Sequence, residues 1–186
     1  MSGSANGASA GAAHVVMLPW LAFGHITPFA QLARKLVSAD GGGVRVTFLT
    51  AAGNVPRVEA MLAPSAAGAV VVVPLHLPHV PGLDAGASST AELSADGAEL
   101  LKVALDGTRP QVAALLAELR PVAVIMDFAT PWVYDIAAPL GLKALHLSVF
   151  SATAGAFNCV PARRLHGAHP SAQGELEDQW ENWLSA

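Results

Sequence analysis

The chain has 186 residues, of which 53% are hydrophobic and 13% charged, with a formal net charge of -4. So apolar and weakly charged a composition excludes intrinsic disorder over most of the length, and the 10 Lys and Arg residues leave no footprint for a phosphate backbone or an anionic membrane surface. A lone cysteine, Cys159, excludes an internal disulfide and a thiolate zinc site and fits a reducing compartment.

Residues 1–13 (MSGSANGASAGAA) carry no basic segment and nothing to bury, which predicts a disordered leader. The apolar run near 69–74 falls far short of the ~20 residues that a membrane span needs. The expected location is cytoplasmic, with neither nucleic acid nor membrane as a partner.

From residue 14 onward, short β-branched runs alternate with helical patterns, as in a mainly parallel α/β sheet. Residues 14–20 (HVVMLPW) read as the first strand. Thr27 before Pro28 reads as a helix N-cap with proline in the first turn, and Phe29, Leu32, Ala33 and Leu36 carry that helix to about Ala39. Residues 44–50 (VRVTFLT) are the second strand, Asn54 caps a short helix through Leu62, and 69–75 (AVVVVPL) are the third strand. The stretch 76–90, rich in Pro, Gly and Ser, is long for such a connection and is a candidate binding loop.

Helices are expected over 91–105 and 108–119, a strand over 122–126 ending at Asp127, and a helix over 131–140. A last strand over 144–150 and a helix from Ser151 complete the pattern. Near the end, Leu176, Trp180, Trp183 and Leu184 fall at helical spacing among acids, so 171–186 reads as a divergent amphipathic tail after one domain over 14–170.

In a parallel α/β sheet, ligands bind beyond the carboxyl ends of the strands, and two ionisable residues fall there. His25 lies between the first strand and first helix, and Asp127 ends the strand AVIMD. Brought together, they would form a couple in which the carboxylate orients an imidazole acting as base on a hydroxyl. Taken singly, they read as an ordinary surface histidine and the cap of the next helix.

Other motifs carry less. The GxSxG at 7–11 has no strand before it, as a nucleophile elbow requires. His76/His79 and His166/His169 have H-x-x-H spacing with no third ligand, so no metal is expected. No G-x-G-x-x-G follows the first strand, so dinucleotide binding loses its main support.

The runs HVVMLPWLAFGHITPFAQLARKL (14–36) and PVAVIMDFATPWVYDIAAPLGLKALHLSVFSATAGAF (121–157) resemble the amino-terminal half of plant UDP-dependent glycosyltransferases. The wording around His25 looks most like the branch that extends the sugars of flavonoid or anthocyanin glycosides. This resemblance implies the N-terminal half of a GT-B fold, a Rossmann-like three-layer domain, and transfer of a hexosyl group from a UDP-sugar to a small phenolic or glycoside acceptor with inversion. It implies His25 as the base, Asp127 as its partner, and Phe23, Gly24, the 76–90 loop and Ser151 as acceptor-binding.

No bound cofactor is implied, UDP-sugar being a co-substrate held mainly by a carboxyl-terminal domain. That domain's Trp-opened signature with H-C-G-W-N-S is not found in these residues, nor is another diphosphate cradle. The expectation is a truncated form with little turnover alone, engaging UDP-sugar only if the other domain is supplied. The alternative is a non-catalytic module that binds an acceptor or a protein.

Overall fold

The computed structural model describes residues 12–39, 43–63 and 68–151. The chain divides into two compact units, Met1–Leu147 and Ser148–Ala186, and all of the regular structure described here lies in the first.

The strands β1 (Ala13–Leu18), β2 (Val44–Ala51), β3 (Val70–Leu75), β4 (Ala123–Met126) and β5 (Lys143–His146) form one sheet in the order β3-β2-β1-β4-β5, with every pair parallel. Along β1 the alternation sends Val16 and Leu18 to one face and Val15 and Met17 to the other, and all four are buried. Burial on both faces marks a strand covered by helices on both sides.

The helices α1 (Phe23–Ala39) and α2 (Val55–Leu62) connect β1, β2 and β3. Through Ile26, Phe29, Ala30, Ala33 and Val37, α1 buries a stripe at helical spacing. The chain then reverses direction across the sheet through α3 (Ala95–Asp106) and α4 (Arg109–Leu119), enters β4 beside β1, and continues through α5 (Val133–Ala137) to β5. Leu101, Leu105, Val112, Leu116, Trp132 and Val133 from these helices pack with Val16, Leu18, Leu49, Val124 and Met126 in one buried cluster. Right-handed crossovers running in opposite directions place their helices on opposite faces, which gives three layers.

Several boundaries differ from the sequence reading. The strand β1 starts at Ala13, whose amide donates to the Gly43 carbonyl at 2.6 Å, so the expected leader yields its last residue to the sheet. The helix α1 starts at Phe23, so Thr27 is no cap and Pro28 lies inside the helix. The Ala22 carbonyl accepts from the amides of His25 and Ile26, each at 2.8 Å, and opens the helix one turn earlier than the proline signal indicates. At the sixth position of α1, Pro28 has no N–H to donate and gives up the ladder bond to the Gly24 carbonyl.

Asn54 and Thr108 stand at N-cap positions, but neither side chain caps. Asn54 Nδ2 donates to the Ser88 carbonyl at 2.5 Å, and Thr108 Oγ1 donates to the Leu105 carbonyl at 2.6 Å. The helix α3 starts at Ala95, because the Ser94 hydroxyl accepts from the Gly97 amide at 3.2 Å and fixes the first turn there. Before it, Thr90–Glu92 form a short 3-10 turn. The helix expected over 131–140 is regular only over Val133–Ala137, and the strand expected over 144–150 ends at His146, although the Leu147 amide still donates to the Met126 carbonyl at 2.9 Å. The helix expected after Ser151, the amphipathic tail, and most of the leader lie outside the described residues, as do His166 and His169.

Candidate active site

The strand order reverses between β1 and β4, and that switch point is where a parallel α/β sheet opens a crevice at its carboxyl edge. His25 follows β1 and Asp127 follows β4, so neighbouring strands deliver two residues 102 positions apart. His25 Nδ1 and Asp127 Oδ2 are 2.7 Å apart. The histidine is not in a loop, as the spacing suggests, but in the first turn of α1.

Asp127 is fixed by more than the histidine. Its Oδ2 also accepts from the Trp20 backbone amide at 3.1 Å, and its Oδ1 accepts from its neighbour's amide, Phe128, at 2.7 Å. The carboxylate is 1% exposed and collects three N–H donors, which is how a buried carboxylate replaces its lost hydration. With Nδ1–H donated to the carboxylate, the neutral imidazole carries its lone pair on Nε2. The His25 side chain keeps 14% exposure. Phe128 lies against it, with ring centroids 5.4 Å apart, and meets Trp20 edge to face at 6.5 Å.

The other expected site residues are placed less uniformly. Phe23, the first residue of α1, is half-buried, with the Arg57 guanidinium 3.4 Å above its ring centroid, so a cation covers one face of the ring. Gly24 is exposed, and a Cβ built there would touch nothing within 4 Å, so neither packing nor backbone conformation demands glycine. Ser151 is exposed and belongs to the second unit of the chain.

The 76–90 loop is tied down at several points along the carboxyl edge. The Thr90 amide donates to the Leu21 carbonyl at 3.0 Å, Asn54 holds Ser88, and the Gln111 side chain bridges the His76 amide and the Pro74 carbonyl. Gly53 permits the close approach: a Cβ there would lie 2.8 Å from Ser88 Oγ. Among the described residues no three His, Cys, Asp or Glu side chains gather as for a metal ion.

Sequence reasoning misses the two backbone amides on Asp127 and the packing of Phe128, because an amide has no signature in composition or spacing. It also misses a polar cluster behind the loop. The Trp132 indole donates to Asp106 Oδ1 at 2.7 Å, and Lys102 Nζ lies 2.9 Å from Asp106 Oδ2. A buried indole N–H always needs an acceptor, but which residue supplies it depends on the tertiary fold.

An all-parallel 3-2-1-4-5 sheet with a His–carboxylate couple at its switch point is a Rossmann-like α/β domain of the kind found in GT-B folds. Comparison with known proteins carries the assignment further. The chain is 51% identical over 167 residues to the anthocyanidin-3-O-glucoside rhamnosyltransferase of Petunia hybrida, which covers 90% of this chain and 34% of that protein. It is 48% identical over 139 residues to UDP-glycosyltransferase 79A2 of Stevia rebaudiana, covering 75% of this chain and 30% of the relative.

Solved structures give the same fold. Glycyrrhiza uralensis UGT73P12 complexed with glycyrrhetinic acid 3-O-monoglucuronide superposes with a TM-score of 0.70 at 23% identity, covering 86% of this chain and 33% of that one. Arabidopsis thaliana UGT89C1 complexed with UDP-L-rhamnose gives 0.68 at 19% identity, covering 84% and 41%. No protein-family model matches the sequence. The chain is similar over most of its length to plant UDP-glycosyltransferases, matches the N-terminal part of their GT-B fold, and spans about a third of the length of these curated relatives.

Proposed function

We propose that this domain is the acceptor-binding half of a UDP-sugar-dependent glycosyltransferase, with His25 as the base and Asp127 as its partner. The observation that carries the reading is the 2.7 Å contact between His25 Nδ1 and the buried Asp127 carboxylate at the switch point of the sheet. The acceptor hydroxyl gives its proton to His25 Nε2 while its oxygen attacks the anomeric carbon of the sugar. The bond from that carbon to the diphosphate breaks, UDP leaves, and the configuration inverts. Asp127 stabilises the imidazolium that forms, and base catalysis of this kind typically contributes about 10²–10⁴-fold.

The acceptor proposed is a small phenolic or its glycoside, entering beside Phe23 and Gly24 with the 76–90 loop as a wall. The relatives support this class: one is named for an anthocyanidin glucoside, and a structural neighbour was solved with quercetin. Donor binding is assigned to a carboxyl-terminal domain. UDP-glycosyltransferase 79A6 of Glycine max and a form named inactive each match over 150 residues at 46% identity. Those residues are 30% of the first and 44% of the second, so the inactive form is the shorter protein. This supports the view that the acceptor half does not suffice for transfer.

The test mixes the 186-residue chain with UDP-glucose and a panel of flavonoids and their glycosides, alone and with the carboxyl-terminal part of the Petunia relative added, and detects product by mass spectrometry. Acceptor binding is followed through tryptophan fluorescence. The expected result is acceptor binding with little product alone, and product on addition of the other part that falls at least about 10²-fold in His25→Ala. Undiminished product from His25→Ala overturns the assignment, and acceptor binding without product in either mixture makes the chain a binding module.

A further inference from the structure

We infer that Asp106 is a positioning residue for the His25–Asp127 couple and acts through the indole of Trp132. The inference rests on the reading of His25 as the base. Asp106 is the last residue of α3 and Arg109 the first of α4. Each charge therefore stands at the helix end whose dipole disfavours it, an acid at a carboxyl end and a base at an amino end. Both converge on one ring: Asp106 Oδ1 accepts from Trp132 Nε1 at 2.7 Å, and the Arg109 guanidinium lies 5.4 Å from the Trp132 ring centroid. Lys102 balances the other carboxylate oxygen. The arrangement is unfavourable for the helices taken alone and is accounted for by the indole it holds.

Trp132 is 3% exposed and ends the segment that carries the site carboxylate. That segment leaves β4 at Met126, turns where the Thr130 amide and hydroxyl reach the Asp127 carbonyl at 3.2 and 3.3 Å, and passes through the Val133 amide, which donates to the Thr130 carbonyl at 3.1 Å. The sheet fixes its beginning, and the indole fixes its end. A charge-assisted hydrogen bond on a buried ring is a strong anchor, and losing the acceptor leaves a buried N–H that draws the segment away in search of another. The resulting shift lengthens the contact between His25 and Asp127, which closes only while the 127–132 segment is held.

The test uses the whole chain and a readout at the site itself, the solvent exchange of the His25 Nδ1–H followed by NMR of a histidine-labelled sample. Asp106→Ala is expected to speed that exchange about tenfold, whereas Asp106→Asn, which keeps an acceptor oxygen, is expected to restore it. Trp132→Phe, which keeps an aromatic ring in the core, is expected to match Asp106→Ala, and adding Asp106→Ala to Trp132→Phe is expected to change nothing further. Unchanged exchange in folded Asp106→Ala overturns the inference; should that variant not fold, unchanged exchange in Trp132→Phe does so. Exchange that responds as expected in a chain whose His25→Ala variant still transfers sugar overturns the proposed function and leaves the positioning intact.

Discussion

Two histidines stand at opposite ends of β1, His14 inside the strand at its start and His25 beyond its carboxyl end, and the fold uses them in opposite ways. His14 is 6% exposed, its Nε2 lies 2.9 Å from Thr47 Oγ1 on β2, and its Nδ1 finds no hydrogen-bond partner among the described residues. Burial, reinforced by the Arg45 guanidinium beside it, pushes its pKa below the ordinary 6.5, with the Leu119 backbone opposing in part. His25, beyond the other end, meets a carboxylate and keeps a route to solvent. One imidazole has a hydroxyl and a nearby cation and is held neutral as part of the core. The other has a carboxylate partner that holds its ring in place at the carboxyl edge of the sheet. Residue type does not separate them; what the neighbouring strand presents does.

The largest effect expected from breaking this contrast is at Asp127. Asp127→Ala removes the imidazole's partner and strands the amides of Trp20 and Phe128, so sugar transfer in the mixed assay falls about 10²-fold or more, and urea denaturation shows a loss of about 1–3 kcal/mol. Asp127→Asn, which keeps an acceptor oxygen, loses less stability than activity.

The next effect belongs to His14 and runs with pH. Its pKa is lowered in the folded chain, so as pH falls below 6.5 the unfolded chain takes up the proton first. The neutral histidine's contribution is fully present above pH 6.5 and is lost progressively below it. The urea midpoint should fall between about pH 7 and about pH 5, and His14→Gln should flatten that slope. A slope unchanged by the substitution assigns the dependence to another group.

The smallest effect is expected at Gly24, where a methyl group meets open space inside a helix. Gly24→Ala should leave stability unchanged or raise it by at most about 1 kcal/mol, while narrowing the entrance beside His25 and weakening acceptor binding in the fluorescence titration. Unweakened binding moves the acceptor away from that end of α1.

The alternation of β-branched runs with helical spacing carries the sheet, because strands buried on both faces must be continuously apolar, as 15–18 and 123–126 are. The couple is legible as two residues at strand ends, since the switch-point rule turns positions far apart in sequence into neighbours. Caps are less legible. Thr27, Asn54 and Thr108 have the right chemistry at the right spacing, yet Thr27 lies inside α1, Asn54 turns to the 76–90 loop and Thr108 to the end of α3. Local propensity identifies groups able to cap, but the tertiary fold offers them competing partners. The role of Asp106 is illegible for the same reason, since its chemistry lies in Trp132, 26 residues away.

The strand order also sets a sequence of events. β2 pairs with β1 and β3 with β2 across connections of about one helix each, while β4 reaches β1 only after more than a hundred residues have been traversed. Contacts so far apart in the chain close late, because their loop entropy must be overcome first. The His25–Asp127 pair therefore forms only when β4 joins β1, and a chain in which β1, β2 and β3 alone were paired would have a histidine but no site. A proton resonance from that pair thus serves as a clock for completion of the domain.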